Sequence, residues 1–307
     1  MTRGVHGEKL VAALASPKLP RSDRPRLEAA ITRYDAWVNI LQSCDAESTG
    51  ALISKLVHNL TMYKQYIDLD VIFDSKNDFL YRQKGQLKLD NTVMEEFLPI
   101  FVKRCIEMEY GGCDLAISSQ AQVYSSIYFE SSLAYPSIGG GLKIKTKAQD
   151  FSISRPLHLF ASYSEEFNVE ETVAATISLG YTMAELKTNL DKTMFQEAAA
   201  TAHDVKLAIP SSKYYLLCDF LDMKPISTST TDIEAIFILR KAKRISSNVR
   251  RQYATYAGRR AGRRDYADYL TSNPYSVELF TDFIDRIFSQ LETDELSEED
   301  VLAKGMF

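Results

Sequence analysis

Apolar residues in the first third of the chain recur at helical spacing. After Ser22 and Pro25, the residues Leu27, Ile31, Tyr34, Val38 and Leu41 fall on one side of an amphipathic helix. A second helix is predicted from Ser48 to Tyr66 on the stripe Leu52, Leu56, Leu60 and Tyr63, and a third from Asn91 to Met108, interrupted or bent at Pro99. Between them, Asp74 to Asp90 mixes turn residues with short alternation and fits a hairpin or an irregular loop.

From Gly111 the texture changes to strand and loop. Gly139, Gly140 and Gly141 open a strand on which Lys143, Lys145 and Lys147 share one face and Ile144 points to the other. Gln149, Asp150 and Phe151 follow, then the run S-I-S-R-P-L-H-L-F-A-S. Thr182 to Thr188 alternates again, with Ala184 and Leu186 on the core side. The period then lengthens: Met194, Ala198, Ala202, Val205 and Ile209 mark a helix, capped by Asp191 and ended by Pro210. The apolar run Tyr214 to Cys218 completes a βαβ unit, which implies a parallel pair within an α/β sheet. Ile236 to Leu239 reads as another strand, and a wide apolar face (Leu279, Phe283 and Ile287 beside Phe280, Ile284 and Phe288) predicts a helix from Tyr275 to Leu291.

Period two also places chemistry. Glu185 and Lys187 lie on the same side of their strand, ~6.6 Å apart along it. A carboxylate that can bind a hard cation, next to a fixed positive charge, suits work on phosphate. Gln196 falls near the first turn of the following helix, close to the end of that strand, where it could position Lys187 or a water. A solvated ion pair on an edge strand is the plain alternative for Glu185 and Lys187.

The string A-E-L-K-T-N-L-D-K-T-M-F-Q-E-A, with K-T-K-A-Q-D-F-S-I-S-R-P before it and L-R-K-A-K-R-I-S-S-N-V-R after it, resembles the PD-(D/E)xK nucleases. Within them it resembles the type II restriction endonucleases of the BbvCI group, which cut sites of the CCTNAGC kind; the likeness spans roughly Gly111 to Arg251. The resemblance implies a mixed central sheet flanked by helices, carrying additional N- and C-terminal helices. With the helices that periodicity predicts on either side, the chain divides into a helical region at 1–110, a catalytic core at 111–245 and a basic segment with a C-terminal helix at 246–307. It further implies Mg²⁺ held by Asp150, Glu185 and the backbone carbonyl of Leu186, with Lys187 and Gln196 completing the catalytic set. Two departures stand out: Gln149 replaces the motif's proline, and the long gap from Asp150 to Glu185 calls for an inserted loop. Glu165, Glu166, Glu170 and Glu171, inside that gap, remain alternatives for the first carboxylate.

Net charge is −5, which at first speaks against a nucleic-acid partner, but phosphate responds to the local field. No acid interrupts the chain between Arg240 and Arg264, whereas E-T-D-E-L-S-E-E-D near the C-terminus carries much of the negative charge. Lys143, Lys145, Lys147, Arg240, Lys243, Arg244, Asn248, Arg250 and Arg251 are the predicted contacts to double-stranded DNA. A lysine-protected edge strand and an exposed basic helix are the plain alternatives for the two groups.

Cys44, Cys105, Cys113 and Cys218 lack zinc-site spacing and read as reduced thiols, and the four scattered histidines argue against a His-based nucleophile. With no run long enough to span a bilayer and no signal-like N-terminus, a cytoplasmic, membrane-free protein is expected. One active site cuts one strand, so a double-strand break implies a second subunit, either a copy or a related chain. Another nuclease of the same fold, in repair or structure-specific nicking, and a non-catalytic DNA-binding protein are the competing readings.

Overall fold

The computed structural model describes residues 3–112, 114–292 and 298–305. Cys113 and most of the acidic stretch near the C-terminus lie outside the described residues. Five helices come first: α1 (Val5–Ala15), α2 (Arg24–Ser43), α3 (Thr49–Gln65), α4 (Asp78–Leu87) and α5 (Thr92–Tyr110). The predicted stripe on α2 holds, with Leu27, Tyr34, Val38 and Leu41 buried. Ser48 caps α3, accepting from Ala51 N at 3.3 Å. Past Gln65 the chain continues as a π-helix over Tyr66–Phe73.

Two expectations fail in this region. Asp74 to Asp90 is chiefly the helix α4, whose single fully buried anchor, Leu80, gave no periodic signal. Pro99 does not interrupt α5, which runs through it to Tyr110.

The sheet is mixed, with spatial order β1 (Ala116–Phe129), β2 (Leu142–Ala161), β3 (Val173–Leu190), β4 (Lys213–Leu221), β5 (Ala235–Lys243). The first three strands are antiparallel, and β3, β4 and β5 run parallel. The crossover from β3 to β4 is α6 (Lys192–Ala208), capped by Asp191, whose carboxylate accepts from Met194 N at 2.9 Å. This is the βαβ unit the sequence predicts. The expected long insertion between Asp150 and Glu185 is instead mostly strand: β2 and β3 stay paired out to Ala161 and Val173, leaving a loop of residues 162–172.

One apolar core joins the N-terminal helices to the sheet. Leu56, Phe97 and Phe101 share a cluster with Phe151, Ala184, Leu186 and Tyr215, and with Phe280, Phe283 and Ile287 of α10 (Val277–Leu291). On the opposite face, Ala198, Ala202 and Val205 of α6 cover Met183, Tyr214, Leu216 and Cys218. Helices therefore lie on both faces of β3 and β4, which buries β4 almost without a break from Tyr214 to Asp219 and β3 at Thr182, Met183, Ala184 and Leu186. Three short helices, α7 (Ser247–Gln252), α8 (Tyr256–Ala261) and α9 (Arg263–Ser272), carry most of the basic run. No described helix is long and apolar enough to cross a membrane.

Candidate active site

The β2–β3 pairing ends with Phe151 opposite Ala184, which leaves Asp150 one residue beyond the last pair, next to Glu185. Phe151, Ala184 and Leu186 enter the core, which turns the alternate positions of both strands to the other face. The carboxylate Oδ2 of Asp150 accepts a hydrogen bond from the backbone N–H of Leu186 at 2.9 Å, which fastens it to the E-x-K strand. Asp150 lies in the interior of β2 and not at its start, because that strand begins eight residues earlier at Leu142.

Glu185 and Lys187 meet as the alternation requires. Lys187 Nζ is 2.7 Å from Glu185 Oε1, with both side chains about one-fifth exposed (27% and 17%). Tyr214 on β4 donates its hydroxyl to Glu185 Oε2 at 3.0 Å. The phenol is fully buried, and burial together with the negative charge of Glu185 keeps it protonated, a permanent donor. Nothing in the local pattern around Tyr214 announced this role; it follows from the parallel pairing of β3 and β4.

Burial pushes the Asp150 carboxyl up from its ordinary value; Leu186 N–H and Lys187 counter this, while Glu95 and Glu185 add to it. Glu95, on α5, has no solvent exposure, and its oxygens accept from Asn91 at 2.8 Å and Gln120 at 3.2 Å. It is an acid beside the site that the sequence pattern missed. For Lys187, burial alone would lower the ammonium, but the hydrogen bond and charge of Glu185, with Asp150 and Glu197 behind it, outweigh that and raise it. The amine is a cation at neutral pH.

Asp150 and Lys187 open onto a cleft of about 450 Å³. Its lining includes Lys84, Lys88 and Asn91 from the α4–α5 junction and Arg244, Arg250 and Tyr253 from the basic segment. Oxygen donors from Asp150 and Glu185 are the right type for a hard divalent ion, which commonly binds through one or two carboxylates and keeps several waters. Glu185 would have to loosen its contact with Lys187 to take part, since both its oxygens are engaged. Among the described residues no cluster of three or more metal-ligating side chains exists, so the protein's share of such a site is small.

Other predicted residues are dispersed. Gln196 is exposed on the first turns of α6, and among the described residues it makes no hydrogen bond to Lys187; its neighbour Glu197 supplies charge there instead. Glu165, Glu166, Glu170 and Glu171 all sit exposed in or beside the loop at the far end of β2 and β3, which leaves Asp150 as the acid beside Glu185. Gln149 is buried, and neither atom of its amide has a hydrogen-bond partner.

The basic residues divide in two. Arg240 is only 3% exposed, its guanidinium stacked 4.0 Å over the Tyr275 ring and donating to Asn273 O, so it is withdrawn from any surface contact. Arg259, in the same run, is 1% exposed and donates to the carbonyls of Phe73, Ser75, Asn77 and Tyr253 and to Asp78. Lys243, Asn248 and Arg251 are exposed, and Arg250 is half-buried at the cleft. Arg244 lines the cleft too, paired with Asp222 at 2.7 Å. On β2, Lys147 pairs with Asp204 at 2.5 Å and Lys143 lies 3.6 Å from Glu130, while Lys145 is exposed between them.

The family model for the Bpu10I restriction endonuclease matches residues 86–307, more than two thirds of the chain. It begins inside α4, so it takes in α5, the sheet and, of the cleft residues named above, all but Lys84. No curated protein matches the chain. Among solved structures, a native BbvCI A2B2 tetramer at low resolution resembles it at 16% identity and a TM-score of 0.36, covering 84% of this chain and 100% of the other.

Proposed function

This chain belongs to the Bpu10I restriction endonuclease family, and from that premise we propose that it hydrolyses duplex DNA at a short specific sequence with a PD-(D/E)xK active site formed by Asp150, Glu185 and Lys187. The supporting observation is the junction of two neighbouring strands. There Asp150 is tied to Leu186 N at 2.9 Å, and Glu185 and Lys187 share one face 2.7 Å apart. The raised Asp150 carboxyl fits the same reading: burial is the main cause and Glu95 and Glu185 add to it, and a bound cation would favour the charged form against both.

In this reading Asp150, Glu185 and the Leu186 carbonyl would hold Mg²⁺, which would supply charge neutralisation at the scissile phosphate and a water of lowered pKa. Lys187, already protonated, serves as donor and positive charge: it orients the attacking water and balances the charge developing on the phosphate. It is not poised as a general base while Glu185 holds it charged. Tyr214 fixes the Glu185 carboxylate from behind. Arg250, Lys88 and Arg244 line the cleft and would meet DNA phosphates there, with Lys243, Asn248 and Arg251 as further exposed contacts. Each active site cuts one strand, so a double-strand break takes two such chains.

Digestion of plasmid and phage DNA with the purified protein tests this reading, run with Mg²⁺ and with chelator, alone and with a related partner chain. Discrete bands that vanish in Lys187→Ala, while DNA retention in a gel persists, are expected, with a rate loss of at least about 100-fold. A smear or junction-dependent nicks would mark a nuclease of another kind, and salt-sensitive binding without cleavage a non-catalytic DNA-binding protein. Wild-type rates in Lys187→Ala would remove the assignment of the site.

A further inference from the structure

We infer that the inner part of the cleft is a binding site for a single unpaired nucleotide, taken out of the duplex beside the scissile phosphate. The cleft lies at the carboxyl ends of three parallel strands: Thr188 and Asn189 of β3, Phe220 of β4, and Arg244 and Ile245 just past β5 line it. In an open sheet with helices on both faces, that is where ligands find a crevice. Its volume of about 450 Å³ is that of a small-molecule site. A duplex, whose major groove alone is about 12 Å wide, can rest across such an opening and cannot enter it. One nucleotide can. Asp150 and Lys187 line the same space, so a phosphate held at Lys187 has its own base beside the interior.

The lining favours a base inside and phosphate outside. Tyr81, Phe220, Tyr266 and Tyr269 line the cleft and keep part of their surface exposed, and Phe220 stacks on Tyr269 with ring centroids 5.4 Å apart. Aromatic platforms hold unstacked bases whatever their sequence, since every base has a flat face. Charge is sorted by depth. Asp68, Asp90 and Asp219 line the cleft at 5–9% exposure, and the cation buried with them, Lys64, gives its ammonium to both oxygens of Asp68 at 2.7 and 2.5 Å. Lys88, Arg244 and Arg250 keep more of their surface in solvent. A phosphate is therefore drawn to the rim and repelled by the interior, whereas an uncharged base is not.

The buried acids also choose among bases. Adenine, cytosine and guanine each carry an exocyclic amino group that donates to a carboxylate, whereas thymine presents a carbonyl and a methyl group instead. Asp90 stays ionised and able to accept: burial alone would raise its carboxyl, but the charges of Lys84 and Lys64 outweigh that and lower it. The site is thus suited to a base with an amino group. This inference deepens the nuclease reading and rests on it for placing a phosphate at Lys187; the recess, its rings and its acids are independent of the cleavage chemistry.

The test is calorimetric titration of the full chain, in chelator, with dAMP, dCMP, dGMP, TMP and inorganic phosphate. At least one nucleotide with an amino-bearing base should bind about fivefold or more tighter than TMP. Gly85, on α4, lines the cleft, and a Cβ there would meet nothing within 4 Å, so Gly85→Trp fills space without disturbing packing. It should weaken nucleotide binding at least about tenfold with an unchanged circular-dichroism melt, and Tyr269→Ala, which removes a platform, serves should the first variant not fold. In the duplex that digestion identifies as substrate, a mismatch at one position beside the cut should tighten binding, because that base is already released from its pair, and Gly85→Trp should abolish the gain. Nucleotides that bind no better than inorganic phosphate, an affinity untouched by Gly85→Trp and Tyr269→Ala, or a scan in which every mismatch weakens binding overturns the proposal. Selective nucleotide binding by a chain that cuts no DNA retires the nuclease reading and leaves the pocket standing; discrete cutting without nucleotide binding does the reverse.

Discussion

Tyr214 donates its hydroxyl to Glu185 Oε2 at 3.0 Å from a ring with no solvent exposure, so a core residue of β4 sets the orientation of a carboxylate on β3. That carboxylate is held on its other oxygen by Lys187. Glu185 thus has one buried partner and one more exposed partner, an arrangement that suits the cation ligand proposed for it.

Tyr214→Phe removes the fixed partner and nothing else of the ring. Stability should fall by about 1 kcal/mol, because water can reach the partly exposed Glu185. The Mg²⁺ concentration for half-maximal cleavage should rise about 10- to 100-fold, with a smaller loss at saturating metal. A metal titration of both proteins decides it; coincident curves would show that Tyr214 serves packing alone.

Arg250 faces the cleft with its Nε buried and without a hydrogen-bond partner. Arg250→Ala should weaken duplex binding about equally for cognate and unrelated sequences. It should lower the slope of log K against log salt by ~0.9, the signature of one lost phosphate contact. A change confined to the cognate sequence would instead make Arg250 a base reader.

Arg259 illustrates how a basic cluster misleads. Its guanidinium joins α8 to the segment before α4 through the carbonyls of Phe73, Ser75 and Asn77 and through Asp78, and also donates to Tyr253 O close by in the chain. Arg259→Ala should cost about 3–5 kcal/mol, since several buried acceptors lose their donor. Arg259→Lys should recover little, because a single ammonium cannot span that fork. Denaturant titration measures both; a loss below 1 kcal/mol would place the anchoring elsewhere.

His6 is fully buried between Thr92 Oγ1 and Tyr63 Oη, each at 3.0 Å. Burial, reinforced by the charge of Lys64, lowers its pKa from 6.5 to about 3, with Asp90 opposing. Below pH 6.5 the unfolded chain binds a proton that the folded chain refuses, so this contribution to stability is full above 6.5 and is lost as pH falls towards 3. The loss approaches ~1.4 kcal/mol per pH unit. His6→Gln should be less stable than wild type at pH 7, and the gap should narrow by pH 4.5. Parallel stability curves for the two proteins would mean that His6 takes up its proton in place.

Period and capping made much of this protein legible from its residues alone. The stripes of α2, α3 and α10, the Asp191 cap and the βαβ unit through β4 are local patterns, and local patterns survive folding when one face must be buried. The same alternation placed Glu185 beside Lys187, because period two in a strand is independent of what the strand packs against.

The tertiary structure decided whatever depended on a second element. Asp150 was set apart from the glutamates at 165–171 by the β2–β3 pairing, which ends beside it at Phe151 and Ala184 and carries the others to the far end of the hairpin, and by its bond to Leu186 N. Tyr214 and Glu95 entered the site across strand and helix contacts that no sequence spacing encodes. Arg240, Arg259 and Arg250 look alike in the chain, yet two became core and one faces the cleft, because the fate of a charged side chain is set by which partners the fold leaves it. Periodicity tells a residue which way to point along its own element, and only packing tells it what it will find there.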